Sequence, residues 1–248
     1  MKNKFTCILH SLLWVVVFLL FPICASPLIL VFNLDYTSTL FVQGGFIALS
    51  LVPVFILVHL KRYKWQQIGF GKFSLDTSKK KLFLVSLILI YIPVAIKGFY
   101  LRSVPYFLGN LFLYLFVAIS EELYFRGIIP HILSKKFSYH VSMIISVIIF
   151  GLAHTFLSFS SPNMITLILN ILTSLIFAWF VIEITALCGN IVPAIIVHFI
   201  FDFECKIVAM DDNMLLATQI VRIGIMFIFS VIFSILGAKK NKDAKTNE

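Results

Sequence analysis

Charge is scarce in this chain: Asp, Glu, Lys and Arg make up only 12% of 248 residues, while 60% are hydrophobic. Soluble domains carry about 25% charged and 45–50% apolar residues, so a soluble globular fold is excluded. Cysteine is sparse as well. Cys7, Cys24, Cys188 and Cys205 show no paired spacing, which argues against a disulfide framework or a Cys-based metal centre. Also missing are a G-x-S-x-G nucleophile elbow, an HExxH helix, a nucleotide-binding glycine motif and an internal repeat. Their absence leaves no recognisable serine nucleophile, zincin helix or phosphate cradle. The net charge of +9 does not indicate nucleic acid, because the basic residues fall in loops between apolar runs, as membrane topology requires.

What the chain has in abundance is apolar segments, at roughly 5–32, 40–60, 82–101, 106–130, 141–159, 163–186, 190–204 and 214–237. Most approach the ~20 residues needed to cross hydrocarbon. They predict an all-α polytopic membrane protein, a single integral membrane domain over 1–248 with about eight transmembrane helices. The first segment is too long for a cleaved signal peptide, and Pro27 follows its Cys24-Ala25-Ser26. With the amino terminus cytoplasmic, fifteen of the twenty Lys and Arg fall on that side. Three (Lys97, Arg102, Lys206) fall opposite, with Asp35, Glu204, Asp211 and Asp212. This bias predicts both termini in the cytoplasm. The loop 61–81, with Tyr63 and Trp65 as interface anchors, reads as a topology determinant, and the lysine-rich tail 239–248 as a disordered stop signal. Pro22, Pro53, Pro93 and Pro193 are candidate kinks.

Against this background a few polar residues stand out. Glu121 and Glu122 are adjacent in the segment 106–130, with Arg126 one turn beyond Glu122. An ionised carboxylate at mid-bilayer costs at least about 2.5 kcal/mol. Glu122 and Arg126, at i and i+4, share a face and can pair. Glu121 lies about 100° further round and is left to face another partner. His154 follows Phe150 by four residues on the fifth segment, and His198 precedes Asp202 by four on the seventh. At about 1.5 Å per residue, Glu121, His154, His198 and Asp202 lie roughly 12–20 Å from the cytoplasmic ends of their helices. One polar intramembrane cavity satisfies all four; three lipid-facing sites do not. Glu183, near a helix end, is expected to snorkel to the interface, and Arg222 to serve packing or as a counter-ion.

An acid, two imidazoles and a second acid in a wet pocket suit hydrolysis. Glu121 can deprotonate water, His154 can orient that water or carry its proton, and His198 can donate to an oxyanion with Asp202 fixing the ring. Zinc is an alternative use of two His and a carboxylate.

Glu121-Glu122-x-x-x-Arg126, Phe150-x-x-x-His154 and His198-x-x-x-Asp202, in that order on separate helices, resemble the three motifs of the CPBP family. These are the CAAX prenyl endopeptidase and bacteriocin-processing or immunity (Abi) proteins, glutamic intramembrane proteases. The motif-bearing core runs about 106–204. The resemblance implies an endopeptidase without metal or cofactor, in which Glu121 and His154 activate water, His198 and Asp202 line the oxyanion hole, and Glu122, Arg126 and Phe150 support the site. It implies a membrane-associated peptide or protein-tail substrate, no nucleic acid, and residence in a bacterial cell membrane. The prenyl-protease branch usually has Asn at the position of Asp202; an anionic Asp is a poor oxyanion donor and has to be protonated or act through His198. The competing expectations are a non-catalytic immunity or scaffold protein and a proton-coupled transporter; the latter calls for repeat symmetry that the sequence lacks.

Overall fold

The computed structural model describes residues 3–74, 77–96, 98–100, 102–158, 164–208 and 212–246. Their helices are α1 (Lys4–Val31), α2 (Tyr36–Leu49), α3 (Val52–His59), α4 (Thr77–Ala95), α5 (Val104–Glu122), α6 (Ile129–Leu133), α7 (Tyr139–Ser158), α8 (Met164–Cys188), α9 (Val192–Ile207) and α10 (Asp212–Thr246). A 3-10 turn, Trp65–Ile68, precedes α4, and a π-helical turn, Leu123–Ile128, joins α5 to α6. Since α2–α3 and α5–α6 are each one interrupted rod, eight rods correspond to the eight apolar segments. The fold is all-helical and polytopic, as expected. Among the described residues five stretches are long and apolar enough to cross a membrane: Lys4–Val31, Tyr36–His59, Val104–Leu133, Met164–Cys188 and Leu216–Gly237.

Side-chain caps set where several rods begin. Asn3, Asp35 and Ser103 accept hydrogen bonds from the backbone N–H groups of Thr6, Ser38 and Tyr106, closing the first turns of α1, α2 and α5. The Ser38 N–H holds the exposed Asp35 carboxyl below the usual carboxylate range. Its contribution is therefore present at neutral pH and is lost as pH falls through that lowered value. Pro53 and Pro193 sit in the first turns of α3 and α9, where they start helices rather than kink them, whereas Pro22, Pro27 and Pro93 lie inside helices.

The central rod, α5 through α6, packs against α2, α9, α1 and α7. The break between α2 and α3 leaves helix carbonyls to be satisfied in an apolar setting. Two hydroxyls of the central rod serve it: Ser120 Oγ donates to Ile47 O at 3.2 Å and Tyr124 Oη to Ser50 O at 2.7 Å. Trp14 and Phe18 of α1 close over the Tyr124 ring, with centroids 5.7 and 5.3 Å away.

Several expectations change here. Helix α4 begins before the predicted 82 and ends at Ala95, not 101; Phe99 then bridges to Val208 and Tyr100 N–H donates to Ile207 O. The loop before it does more than orient the chain. Tyr63 is buried edge-on to His131, Trp65 meets Phe55 and Phe70, and Ile68 is fully buried against the π-helical turn. Helix α10 continues to Thr246, so 239–246 is helical where disorder was expected. Lys97 and Asp211, used in the charge count, lie outside the described residues.

The contact between the 3-10 turn and the π turn requires a glycine. A Cβ on Gly127 would meet the backbone oxygen of Ile68, whereas one on Gly45 would meet nothing within 4 Å. Gly127→Val is expected to lower stability by about 1–3 kcal/mol, as overpacking does. Gly45→Ala is expected to leave it unchanged or slightly raised. Thermal unfolding of the two variants in detergent checks both.

Candidate active site

The three polar motifs meet behind the π-helical turn. Glu121 and Glu122 end α5, and the turn that follows carries Arg126 back beneath them. A π turn holds one residue more than an α turn and is common at functional sites. This one is fastened from α7, where Ser146 Oγ donates to the Phe125 carbonyl. Its side chains are all buried, so the carboxylates stand on a rigid element.

Glu122 is wholly buried and pairs with the Arg126 guanidinium at 3.0 Å. Its Oε1 also lies 2.6 Å from His198 Nδ1 on α9. A carboxylate held by arginine can only accept, so Nδ1 is the donor. Arg126 reaches the Ala178 carbonyl at 3.5 Å and lies 4.4 Å over the Phe150 ring. The other face of the polar cluster is ordered by the same aromatic residue: Phe150 stacks on His154 at 4.1 Å, and His154 Nδ1 is 3.1 Å from the Phe150 carbonyl oxygen. A carbonyl likewise only accepts, which leaves His154 Nε2 turned toward the acids.

Glu121 Oε2 lies 3.7 Å from His154 Nε2 and 3.7 Å from His198 Nε2. That oxygen is buried and has no hydrogen-bond partner among the described residues. His198 Nε2 is also 3.3 Å from Asp202 Oδ2. All four candidate catalytic residues, with Glu122, Arg126 and Phe150, therefore fall in one cluster. Asp202 was expected to fix the ring of His198. In the fold Glu122 holds one nitrogen and Asp202 approaches the other, a contact between α5 and α9 that spacing alone does not announce.

The cluster opens on a cavity of about 220 Å³ lined by His154, His198, Asp202, Phe177 and polar residues of α8 and α10. A larger cavity of about 900 Å³ between α7, α8 and α10 is lined by Arg126 and His140 but by neither His154 nor His198, and Glu121 lines neither cavity. Chemistry rather than size selects the smaller one. The larger contains Glu183, which accepts from Trp179 Nε1 at 3.3 Å and Ser234 Oγ at 2.6 Å. Arg222 fills its expected counter-ion role through Glu204, which is buried on α9, and its guanidinium lies 3.9 Å over Phe201. Among the described residues no group of three or more His, Cys, Asp or Glu is disposed to hold a metal ion.

Over residues 103–203 the chain matches the family model described as type II CAAX prenyl endopeptidase Rce1-like, the CAAX-protease family to which the three motifs point. The matched stretch contains every residue of the cluster. It supports, at the level of the family, an endopeptidase of the CAAX-protease type. Searches among curated proteins and among solved structures found no match.

The Glu122–Arg126 pair gives a direct test of the cluster's electrostatics. Arg126→Met, which keeps the stem and removes the charge, is expected to cost about 3–5 kcal/mol by leaving a buried carboxylate with less than its full complement of partners. Chemical or thermal unfolding in detergent reads the loss.

Proposed function

We propose that the protein is an intramembrane glutamic endopeptidase that hydrolyses a peptide bond of a membrane-associated peptide or protein tail. The observation that supports it best is the Glu121 carboxylate, whose Oε2 is 3.7 Å from the Nε2 atoms of both His154 and His198 and has no hydrogen-bond partner among the described residues. Two acceptors, Glu121 Oε2 and the Nε2 of a neutral His154, face one another and call for a donor with two protons. Water is that donor. Glu121 takes a proton from it as its oxygen attacks the carbonyl carbon, the carbon–nitrogen bond breaks, and the proton passes through Glu121 or His154 to the leaving amine. His198, with Nδ1–H given to Glu122, directs Nε2 toward the oxyanion, and Asp202 sits beside it. A ring carrying protons on both nitrogens satisfies these carboxylates and donates where an anionic Asp202 cannot. Glu122, Arg126 and Phe150 hold the two histidines in place. No metal or cofactor takes part in this scheme.

The site lies in the membrane, and the positional bias of Lys and Arg supports eight crossings with both termini in the cytoplasm. Three rods fall short of a full apolar span by themselves. The shortest, α9, packs on α5, α8 and α4 and carries His198, as an internal helix can.

Glu121→Gln and His154→Ala are each expected to lower the cleavage rate by roughly 10²–10⁴-fold, the range of a lost general acid–base group, while membrane levels stay at wild type. Comparative peptidomics of cells carrying wild type or Glu121→Gln reads the outcome and identifies substrates. Wild-type processing by Glu121→Gln would refute the mechanism and favour a binding role without turnover. Cleavage by purified protein is further expected to survive 1,10-phenanthroline and EDTA; loss of activity that zinc restores would replace the water-activating acid with a metal.

A further inference from the structure

The catalytic cavity has a wall that the acid–imidazole cluster does not use. On α8, Asn170, Thr173 and Ser174 recur at helical spacing on one face, and the next residue of that face is Phe177, 4.8 Å from the His198 ring. From α10, Gln219 Nε2 donates to Thr173 Oγ1 at 2.8 Å and approaches Asn170 Oδ1 at 3.5 Å. All four polar residues line the same cavity of about 220 Å³ as His154, His198 and Asp202. Gln219 lies outside the stretch matched to the family model.

Polar side chains between membrane helices often serve only as glue. Glue belongs in a sealed interface. These residues are half-buried and face the cavity, while α8 and α10 are joined elsewhere by Trp179 against Phe227, Phe180 against Phe233, and Glu183 with Ser234. The volume equals roughly seven waters, enough for a short piece of extended chain. Such a chain drawn out of water carries backbone N–H and C=O groups that cost several kcal/mol each if unpaired. The Thr173 and Ser174 hydroxyls donate to the Leu169 and Asn170 carbonyls one turn back and keep acceptor capacity, while the amides of Asn170 and Gln219 supply both donors and acceptors without net charge. No lysine or arginine lines the cavity among the described residues. Arg126 and a protonated His198 are matched by Glu122 and Asp202, which leaves the Glu121 carboxylate as the excess charge beside the cavity, so an acidic side chain or free carboxylate is disfavoured there.

We propose that Asn170, Thr173 and Gln219 form a substrate-binding wall that holds the polar main chain beside the scissile bond and selects an uncharged or basic residue over an acidic one. This rests on the endopeptidase reading above. The test incubates purified full-length protein in detergent micelles with a proteome-derived peptide library, maps the cut sites by mass spectrometry, and measures kcat and KM on one cleaved peptide. Wild type is expected to avoid Asp and Glu next to the cut. Gln219→Leu and Thr173→Val are expected to raise KM by about tenfold each, with a smaller effect on kcat, as loss of a hydrogen-bonding group does. Gln219→Glu is expected to shift the cut sites toward Lys and Arg, which a merely structural residue would not do. If Gln219→Leu loses its melting transition, Thr173→Val and Gln219→Glu carry the test. KM values and a cut-site profile within twofold of wild type in folded variants would overturn the wall while leaving the endopeptidase intact. A library left uncut by wild type as well as by Glu121→Gln would overturn the endopeptidase, and the wall with it.

Discussion

A carboxylate removed from water has to be given a partner, and the structure is arranged around how Glu122 meets that demand. Its two-sided pairing, with Arg126 along its own rod and with His198 across to α9, ties the π-helical turn to a second helix. Arg126 in turn is held by the Ala178 carbonyl of α8 and the Phe150 ring of α7. Four rods thus converge on a single charge pair. Breaking such a pair from one side is far more costly than never having built it, so the pair is better read as fixing an arrangement than as a source of net stability. What it fixes is the position of the neighbouring carboxylate. Glu121, one residue earlier, is turned away from Arg126 and toward two imidazole nitrogens.

The two glutamates divide structural and chemical duties by environment alone. Among the described residues each glutamate has an Oε2 without a hydrogen bond, but Glu122 has its charge compensated by Arg126 and orients His198 through Oε1, whereas the Glu121 oxygen faces two imidazoles. Phe150 works in the same economical way, with Arg126 4.4 Å over its ring and His154 stacked at 4.1 Å. Even the break between α2 and α3 feeds into this frame, since Ser120 and Tyr124, the residues flanking the glutamates and Leu123 on the central rod, donate to the Ile47 carbonyl, which Ser50 also serves, and to the Ser50 carbonyl.

Much of this was legible in the chain. Apolar run length placed all eight rods because hydrocarbon sets that length directly. The i,i+4 spacing named Glu122–Arg126, Phe150–His154 and His198–Asp202, since side chains four apart on a helix stack on one face. Depth along each helix brought the groups to a common level. What spacing could not give was azimuth, the direction in which each helix turns its face toward a neighbour. The Glu122–His198 contact, the Glu183–Ser234 contact and the Glu204–Arg222 pair all cross between helices, and each escaped for that reason. Tyr63 was misplaced by composition: an aromatic in a basic loop looks like an interface anchor, yet here the loop folds inward on the π turn. That turn itself leaves no trace in hydropathy, although Gly127 records the close approach it makes to Ile68.

The central claim is spatial: the Glu121 carboxylate lies between two imidazoles contributed by separate helices. Solid-state NMR distances from a ¹³C-labelled Glu121 carboxyl to ¹⁵N-labelled His154 and His198, recorded on protein in lipid bilayers, measure it most directly. The account predicts strong couplings to both Nε2 atoms, in keeping with oxygen–nitrogen separations of 3.7 Å. Separation from either ring by more than about 6 Å, outside the range over which such groups influence each other, would contradict it.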